Sequence, residues 1–195
     1  MSVSADAATA GRSSLGGRDF LEVRFGGSGG QGVILMGVIL ATAATLDGRQ
    51  VVQTQSYGPE ARGGYSRSDV IVASQPVDYP EILGIDLLVA LSDEAAHHYV
   101  DLLRPDGVFI FDSEQVPDPP AVVGASYGLP FNSLAVQVTG RAQTANILTL
   151  GAVVGITDVV SRASLEKAVS GMVPPGTEEL NLTALRAGFD VDIGR

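Results

Sequence analysis

The residues that first suggest chemistry are a glycine-rich run, Gly26-Gly27-Ser28-Gly29-Gly30-Gln31-Gly32. The run stands between a short apolar strand pattern, Leu21-Glu22-Val23-Arg24-Phe25, and a long apolar helix pattern from Val33 to about Leu46. A strand that turns into a helix through glycines leaves backbone N–H groups at a helix N-terminus, where an anion can dock. Gly27, Gly29 and Gly32 also have the G-x-G-x-x-G spacing of dinucleotide-binding loops. That spacing alone is a weak signal. A dinucleotide site needs an acid for the ribose at the end of the second strand, about 20 residues on. Here that strand ends Thr54-Gln55-Ser56, and Asp47 falls in the turn before it, at the wrong end of the sheet. The only lysine is Lys167. A P-loop nucleotide hydrolase is therefore excluded, because its chemistry places a lysine of the loop on the β- and γ-phosphates.

A second loop is more unusual. Tyr57-Gly58-Pro59-Glu60-Ala61-Arg62-Gly63-Gly64 packs an aromatic, a proline, three glycines and a charge pair into one short connection. It follows the second strand pattern, so it should lie beside the first loop at the carboxyl edge of the sheet, where open α/β sheets hold ligands. Arg62 can act as a bidentate donor to a carboxylate or phosphate. Ser66 and Arg67, just beyond, are candidates for the same cleft. A plainer reading stays open for each feature: the first glycines serve only a tight turn and close packing, and Arg62 pairs locally with Glu60. No Ser/His/Asp set, no helix with facing carboxylates and a histidine, and no metal-ligand cluster is visible. His97 and His98, the only histidines, are neighbours in sequence. On a helix they point in different directions and make a poor metal pair. A complete active site is not expected within this chain, and neither catalytic nor metal-binding residues are assigned.

The elements that must position these loops follow from pattern. The chain of 195 residues suits one α/β domain. It is 45% hydrophobic and 17% charged, too apolar for disorder, and its longest apolar stretch is interrupted by Gly37, Thr42 and Thr45. No membrane span is expected. Net charge is −10, which argues against nucleic-acid binding. There are no cysteines, so disulfides, thiolate nucleophiles and cysteine-ligated iron–sulfur clusters are excluded. Residues 1–19 are rich in Ala, Ser, Gly and Arg and lack a secretory h-region; they read as a flexible N-terminal extension, with cytoplasmic location as the default. The domain is expected over 20–195. Strands are expected at 21–25, 50–55, 65–73, 85–91, 108–111 and 122–126. Ser92 should cap a helix ending near Leu103, followed by a turn at Arg104-Pro105-Asp106-Gly107. Helices are expected at 142–156, 164–172 and 181–187, the last capped by Gly188. This pattern implies a single α/β domain with a Rossmann-like opening unit, a largely parallel sheet flanked by helices, and a helical C-terminal third.

The two loops together resemble the gamma subunit of the 2-oxoacid:ferredoxin (acceptor) oxidoreductases. The matching segments are Gly27–Val33, Gln53–Gly64 and Ser66-Arg67-Ser68-Asp69-Val70-Ile71. Asn146 with Leu150-Gly151-Ala152 is similar to the family's Asn-containing helix, and Asn181–Gly188 to its closing segment. The wording at 54–57 and 66–69 is most like the 2-oxoglutarate branch. The resemblance implies a noncatalytic subunit that binds no cofactor alone and works with thiamine-binding and iron–sulfur subunits. In that family those partners carry thiamine diphosphate with Mg and iron–sulfur clusters. A 2-oxoacid loses CO2 on the thiamine, electrons leave for ferredoxin or another acceptor, and the acyl group passes to coenzyme A. Gly27, Ser28, Gly29, Gly30, Gln31, Gly32, Tyr57, Gly58, Arg62, Gly63, Gly64, Ser66 and Arg67 would then face the active-site cleft of a partner. Two other readings stay open: a stand-alone NAD(P)-binding oxidoreductase, and a pure assembly module.

Overall fold

Apolar residues alternate with charged ones along the first strand, β1 (Phe20–Ser28), yet every residue from Leu21 to Gly27 is buried. In the computed structural model, which describes residues 15–57 and 65–193, this strand lies inside a six-stranded sheet. Its odd-numbered side chains, Leu21, Val23 and Phe25, enter a large core beneath helix α1 (Val33–Leu46). Its even-numbered side chains face the other way, which buries Arg24. Burial of a charge is tolerable only when it is paired. The register of β1 against β3 (Tyr65–Ala73) sets Arg24 opposite Asp69. Arg24 Nε and Nη2 donate to the two Asp69 carboxylate oxygens at 2.7 and 2.8 Å. The guanidinium also lies 4.7 Å from the ring centroid of Tyr99.

The remaining elements are β2 (Gln50–Tyr57), β4 (Ile85–Ala90), α2 (Asp93–Tyr99), β5 (Leu103–Asp112), β6 (Ala125–Leu129), α3 (Phe131–Thr139), α4 (Ala145–Thr157), α5 (Arg162–Met172) and α6 (Glu178–Phe189). The sheet order is β2-β3-β1-β4-β5-β6. The pairings of β1 with β4, β4 with β5 and β5 with β6 are parallel. Those of β1 with β3 and β2 with β3 are antiparallel, so the sheet is mixed. The antiparallel part arises because β2, after the α1 crossover, lands one place away from β1, and β3 turns back to fill the gap.

Helix α4 is buried on all sides from Ile147 to Thr157 and forms the centre of the helical layer. Gly151 and Gly188 let α4 and α6 touch backbone to backbone: a Cβ on Gly188 would strike the Leu148 carbonyl. With Gly188 used as a contact surface, α6 continues through it to Phe189; it also begins earlier, at Glu178, where the sequence pattern set a shorter helix with Gly188 as its cap. The opposite sheet face is covered by α2, whose Ala95, Ala96 and Tyr99 pack on Leu88, Phe109 and Phe111.

Three local expectations are corrected. Helix α2 ends at Tyr99, and a 3-10 turn at Val100–Leu102 leads straight into β5. Arg104-Pro105-Asp106-Gly107 is not a turn but part of β5. Ile85 pairs with Leu103 and Leu87 with Val108, so residues 104–107 bulge from the ladder, and Arg104 pairs with the buried carboxylates of Glu22 and Asp86. Residues 15–19, grouped by sequence with the extension, pack on the domain. The Leu15 side chain is buried, its N–H donates to the Thr157 carbonyl at 2.7 Å, and Arg18 pairs with Asp86. Among the described residues, no helix is long and apolar enough to cross a membrane.

Candidate functional site

The glycine-rich loop is held by its own glutamine. Gln31 Oε1 accepts the Ser28 N–H at 2.6 Å, and Gln31 Nε2 donates to the Leu91 carbonyl at 2.8 Å. The loop after β1 is thereby tied to the end of β4. Gly27 has no space for a Cβ because Gln31 Oε1 and Val33 Cγ2 occupy it. Gly32 caps α1 in the left-handed conformation, φ 75°, and its Cα sits against the Asn146 side-chain amide. Both constraints admit only glycine. No side chain caps α1, so the N–H groups of its first turn have no side-chain acceptor. The Ser28 N–H, by contrast, is already used inside the loop.

Beside this loop the topology changes direction. From β1 the chain goes to α1, β2 and β3 on one side; β4, β5 and β6 lie on the other. Open α/β sheets bind ligands in the crevice at such a switch point. A cleft of about 280 Å³ occurs there. Gly30 and Gln31 form one rim and Leu91 the end of β4. Asp112 and Gln115 enter from the end of β5, Phe131 and Asn132 from the start of α3, and Gln143, Asn146 and Thr149 from the start of α4. Asp112 is 2% exposed. Its Oδ1 accepts the Glu114 N–H at 2.9 Å, while Oδ2 lies 3.4 Å from Asn132 Nδ2. Burial pushes the Asp112 carboxyl above the usual carboxylate range, against the pull of the Glu114 and Gln115 N–H groups. A second depression of about 250 Å³ shares Gln143 and Asn146 with the cleft and adds Arg141, Leu35, Leu180 and Asn181.

Of the residues singled out by sequence, Gly30 and Gln31 line the cleft, and Gly27, Ser28, Gly29 and Gly32 belong to the same strand–helix turn but are not among its lining residues. Ser28 pairs with Tyr65 and Tyr57 with Ser66 in the sheet. Both ends of the second loop therefore sit at the same sheet edge as the first loop. Ser66 is buried beneath that edge, its Oγ donating to the Gly27 carbonyl at 3.4 Å. Arg67 lies on the opposite sheet face, its Nε 3.5 Å from Asp69 Oδ2. Neither is among the residues lining the cleft. Gly58, Arg62, Gly63 and Gly64 lie outside the described residues. His97 and His98 sit on α2, where His97 Nδ1 is 3.0 Å from the Asp93 carbonyl. Asp112, Asn132 and Gln143 were not anticipated. The available signal was an acid directly after the apolar strand Val108–Phe111, at the carboxyl end of a parallel strand.

The geometry also bears on nucleotide chemistry. A dinucleotide fold places its second parallel strand directly beside the first. Here antiparallel β3 fills that place, and among the described residues β2 ends Thr54-Gln55-Ser56-Tyr57 with no acid for a ribose. There is no cysteine to ligate iron, and among the described residues no group of three or more His, Asp or Glu could hold a metal.

Fold and site define a class: a one-domain α/β protein whose sheet switches direction at a polar cleft beside a Gly-rich strand–helix turn. The chain belongs to the pyruvate ferredoxin/flavodoxin oxidoreductase family, whose pattern it matches over residues 22–191. It is similar to the 2-oxoglutarate synthase subunit KorC of Methanocaldococcus jannaschii, 45% identical over 173 residues, covering 87% of this chain and 92% of that one. It is also similar to the pyruvate synthase subunit PorC of Methanothermobacter thermautotrophicus, at 30% identity over 87% of this chain and 94% of that one. The crystal structure of a keto/oxoacid ferredoxin oxidoreductase gamma subunit from Geobacter sulfurreducens superposes with a TM-score of 0.81 at 44% identity, covering 88% of this chain and 95% of that one. The chain is thus a gamma-type subunit of a 2-oxoacid:ferredoxin oxidoreductase complex, more similar to the 2-oxoglutarate relative than to the pyruvate one.

Proposed function

We propose that this chain is the noncatalytic gamma subunit of a thiamine diphosphate-dependent enzyme that oxidatively decarboxylates 2-oxoglutarate to the acyl-CoA. In this reading it acts in the cytoplasm. Thiamine diphosphate with Mg and the iron–sulfur clusters reside in partner subunits, and ferredoxin or another acceptor takes the electrons. The chain contributes its Gly-rich sheet edge, which faces the partner's active-site cleft. The observation that carries this reading is the convergence of both loops at one edge, through the Ser28–Tyr65 and Tyr57–Ser66 pairings. Uncapped N–H groups in the first turn of α1 suit an anion arriving there. Together with Arg62 they help position coenzyme A or order the partner's thiamine site.

Replacing Arg62 with Ala in the assembled complex tests this. The expected result is a raised KM for coenzyme A or a lowered kcat, with assembly intact. Unchanged kinetics would overturn the positioning role, and loss of assembly would assign Arg62 a structural one. Purification from the native source should bring down a thiamine-binding chain and a cysteine-rich chain; their absence would overturn the subunit assignment.

A further inference from the structure

Strand β2 stands at one edge of the sheet, and all eight of its residues pair with β3 in an unbroken register from Gln50 opposite Ala73 to Tyr57 opposite Ser66. Among the described residues no strand pairs with its other side, so alternate residues turn their N–H and C=O groups outward. Edge strands are ordinarily blunted by a charge, a proline, a bulge or brevity. The sequence of β2, Gln-Val-Val-Gln-Thr-Gln-Ser-Tyr, has none of these. The opposite edge differs: β6 has five residues, includes Gly128, and shares a depression with Asp192 and Ile193. Helix α1 extends the uncharged border. Its fourteen residues carry no charge. Gly37 faces the sheet, since a Cβ there would strike Ser68 and Val70 of β3. One flank of α1 from Gly37, with Met36, Leu40 and Ala43, turns to the core. With about 3.6 residues per turn, Ile34, Val38, Ala41 and Thr45 fall on the other flank, toward the β2 edge. Ile34, Val38 and Ala41 are half-buried and Thr45 is exposed. A chain of net charge −10 thus has a continuous neutral border made of a strand edge and a helix flank.

We propose that β2 pairs antiparallel with β2 of a second copy of this chain, joining two six-stranded sheets into one. Charge selects a second copy: two chains that each carry −10 repel elsewhere, and this border lets them meet with no like charges opposed. Symmetry agrees with it. The two-fold axis of such a pair stands perpendicular to the sheet and keeps the faces matched, so odd residues pair with odd and even with even. The axis therefore passes through a residue, and Gln53 and Thr54 are the two at the middle of β2. The first register sets Val51 against Gln55 and Val52 against Thr54 of the second copy; the other sets Val52 against Ser56 and Gln53 against Gln55. Both join free backbone groups to free backbone groups. The same rotation brings the two α1 flanks to one face of the sheet, turned toward each other across the seam, so Ile34 and Val38 are covered together with the strand edge. The contact closes at two copies. Because the paired strands run in opposite directions, the two Gly-rich edges point away from each other, and each stays open to other subunits. The inference is independent of what those loops bind.

Sedimentation of the full chain across micromolar concentrations should show a species of twice the chain mass that dissociates on dilution. Thr54→Lys sets two like charges at the seam and should weaken association by about tenfold or more. Val38→Lys should do the same from the helix flank. Val136→Lys, the same change at an exposed apolar site on α3, should leave the dimer intact. Circular dichroism separates loss of pairing from loss of fold. The chain has no cysteine, so single cysteines report the register directly. Residues paired across the axis stand about 4.5–5.5 Å apart at Cα, within disulfide reach. Under oxidation, one of Gln53→Cys and Thr54→Cys should cross-link two copies, and Gln50→Cys should not. A chain that stays monomeric at hundreds of micromolar, a folded dimer indifferent to both lysine variants, or no cross-link at either central position would each overturn the proposal. So would β2 amides that gain protection from hydrogen exchange only when a thiamine-binding chain is added, which would give this edge to another subunit.

Discussion

Removing the Asp69 carboxylate is the sharpest test of how this sheet tolerates charge in its interior. The Arg24 and Asp69 side chains are 5% and 6% exposed, and two short hydrogen bonds join them across β1 and β3. Asp69→Ala leaves the Arg24 guanidinium buried under Tyr99 with its charge uncompensated. Breaking a buried pair from one side costs about 3–5 kcal/mol. For a chain of this length each kcal/mol lowers the melting midpoint by roughly 2–4 °C, so the variant should melt roughly 6–20 °C lower. That is a large share of a typical total stability of about 5–15 kcal/mol. Arg67 Nε, 3.5 Å from the same carboxylate, loses its partner too and adds to the loss. The double variant Arg24→Met with Asp69→Leu removes both charges and keeps the volume, so it should recover most of the stability. Thermal unfolding of the wild type, Arg24→Met, Asp69→Leu and the double variant, followed by circular dichroism, completes the cycle, with Asp69→Ala measured beside them. The reasoning fails if Asp69→Ala costs under about 1 kcal/mol, as a solvated surface pair would. It also fails if the double variant is no more stable than Asp69→Ala.

Two further outcomes follow from the site. Gly32→Ala forces a Cβ into the left-handed region and against Asn146, so it should cost about 1–2 kcal/mol for the backbone alone and more for the clash. Adding Asn146→Ala should return the steric part only, measurable by denaturant unfolding. At Asp112, burial raises the carboxyl, so the folded chain holds that proton more tightly than the unfolded chain does. The ionised form is therefore the costly one, and the cost is present above the folded-state value and absent below the unfolded one. Asp112→Asn should accordingly raise the melting midpoint at about pH 7, with the gain vanishing as pH falls through the usual carboxylate range to about pH 3.5.

Much of the architecture was legible because local pattern and burial agree. The strand patterns at 21–25, 65–73 and 85–91 match observed strands because their apolar residues have nowhere to go but a sheet interior; 50–55 matches the edge strand β2, where Val51 and Val52 are half-buried. Ser92 caps α2 as its type and the following acids indicate, with its Oγ accepting the Ala95 N–H. The bulge at 104–107 was not legible. Arg-Pro-Asp-Gly has the local chemistry of a turn, and only Glu22 and Asp86, distant in sequence, hold Arg104 in the strand. Gly188 likewise has the type of a helix cap, and only the approach of α4 reveals its use as a contact surface.

The amino-acid sequence by itself determined the α/β class, the Gly-rich strand–helix turn, the absence of cysteine and of a lysine in the Gly-rich loop, and the two motifs that resemble the gamma subunits. These are properties of residue type and short-range spacing. Tertiary structure decided what spacing cannot encode. It placed β3 antiparallel beside β1 and so removed the position of a ribose acid. It sent Arg67 to Asp69 on the far face and Ser66 beneath Gly27. It brought Asp112, Asn132 and Asn146, from three separate elements, to the side of the Gly-rich loop. Such a cleft forms only where strands change direction, and that point is set by which strands pair over the whole sheet.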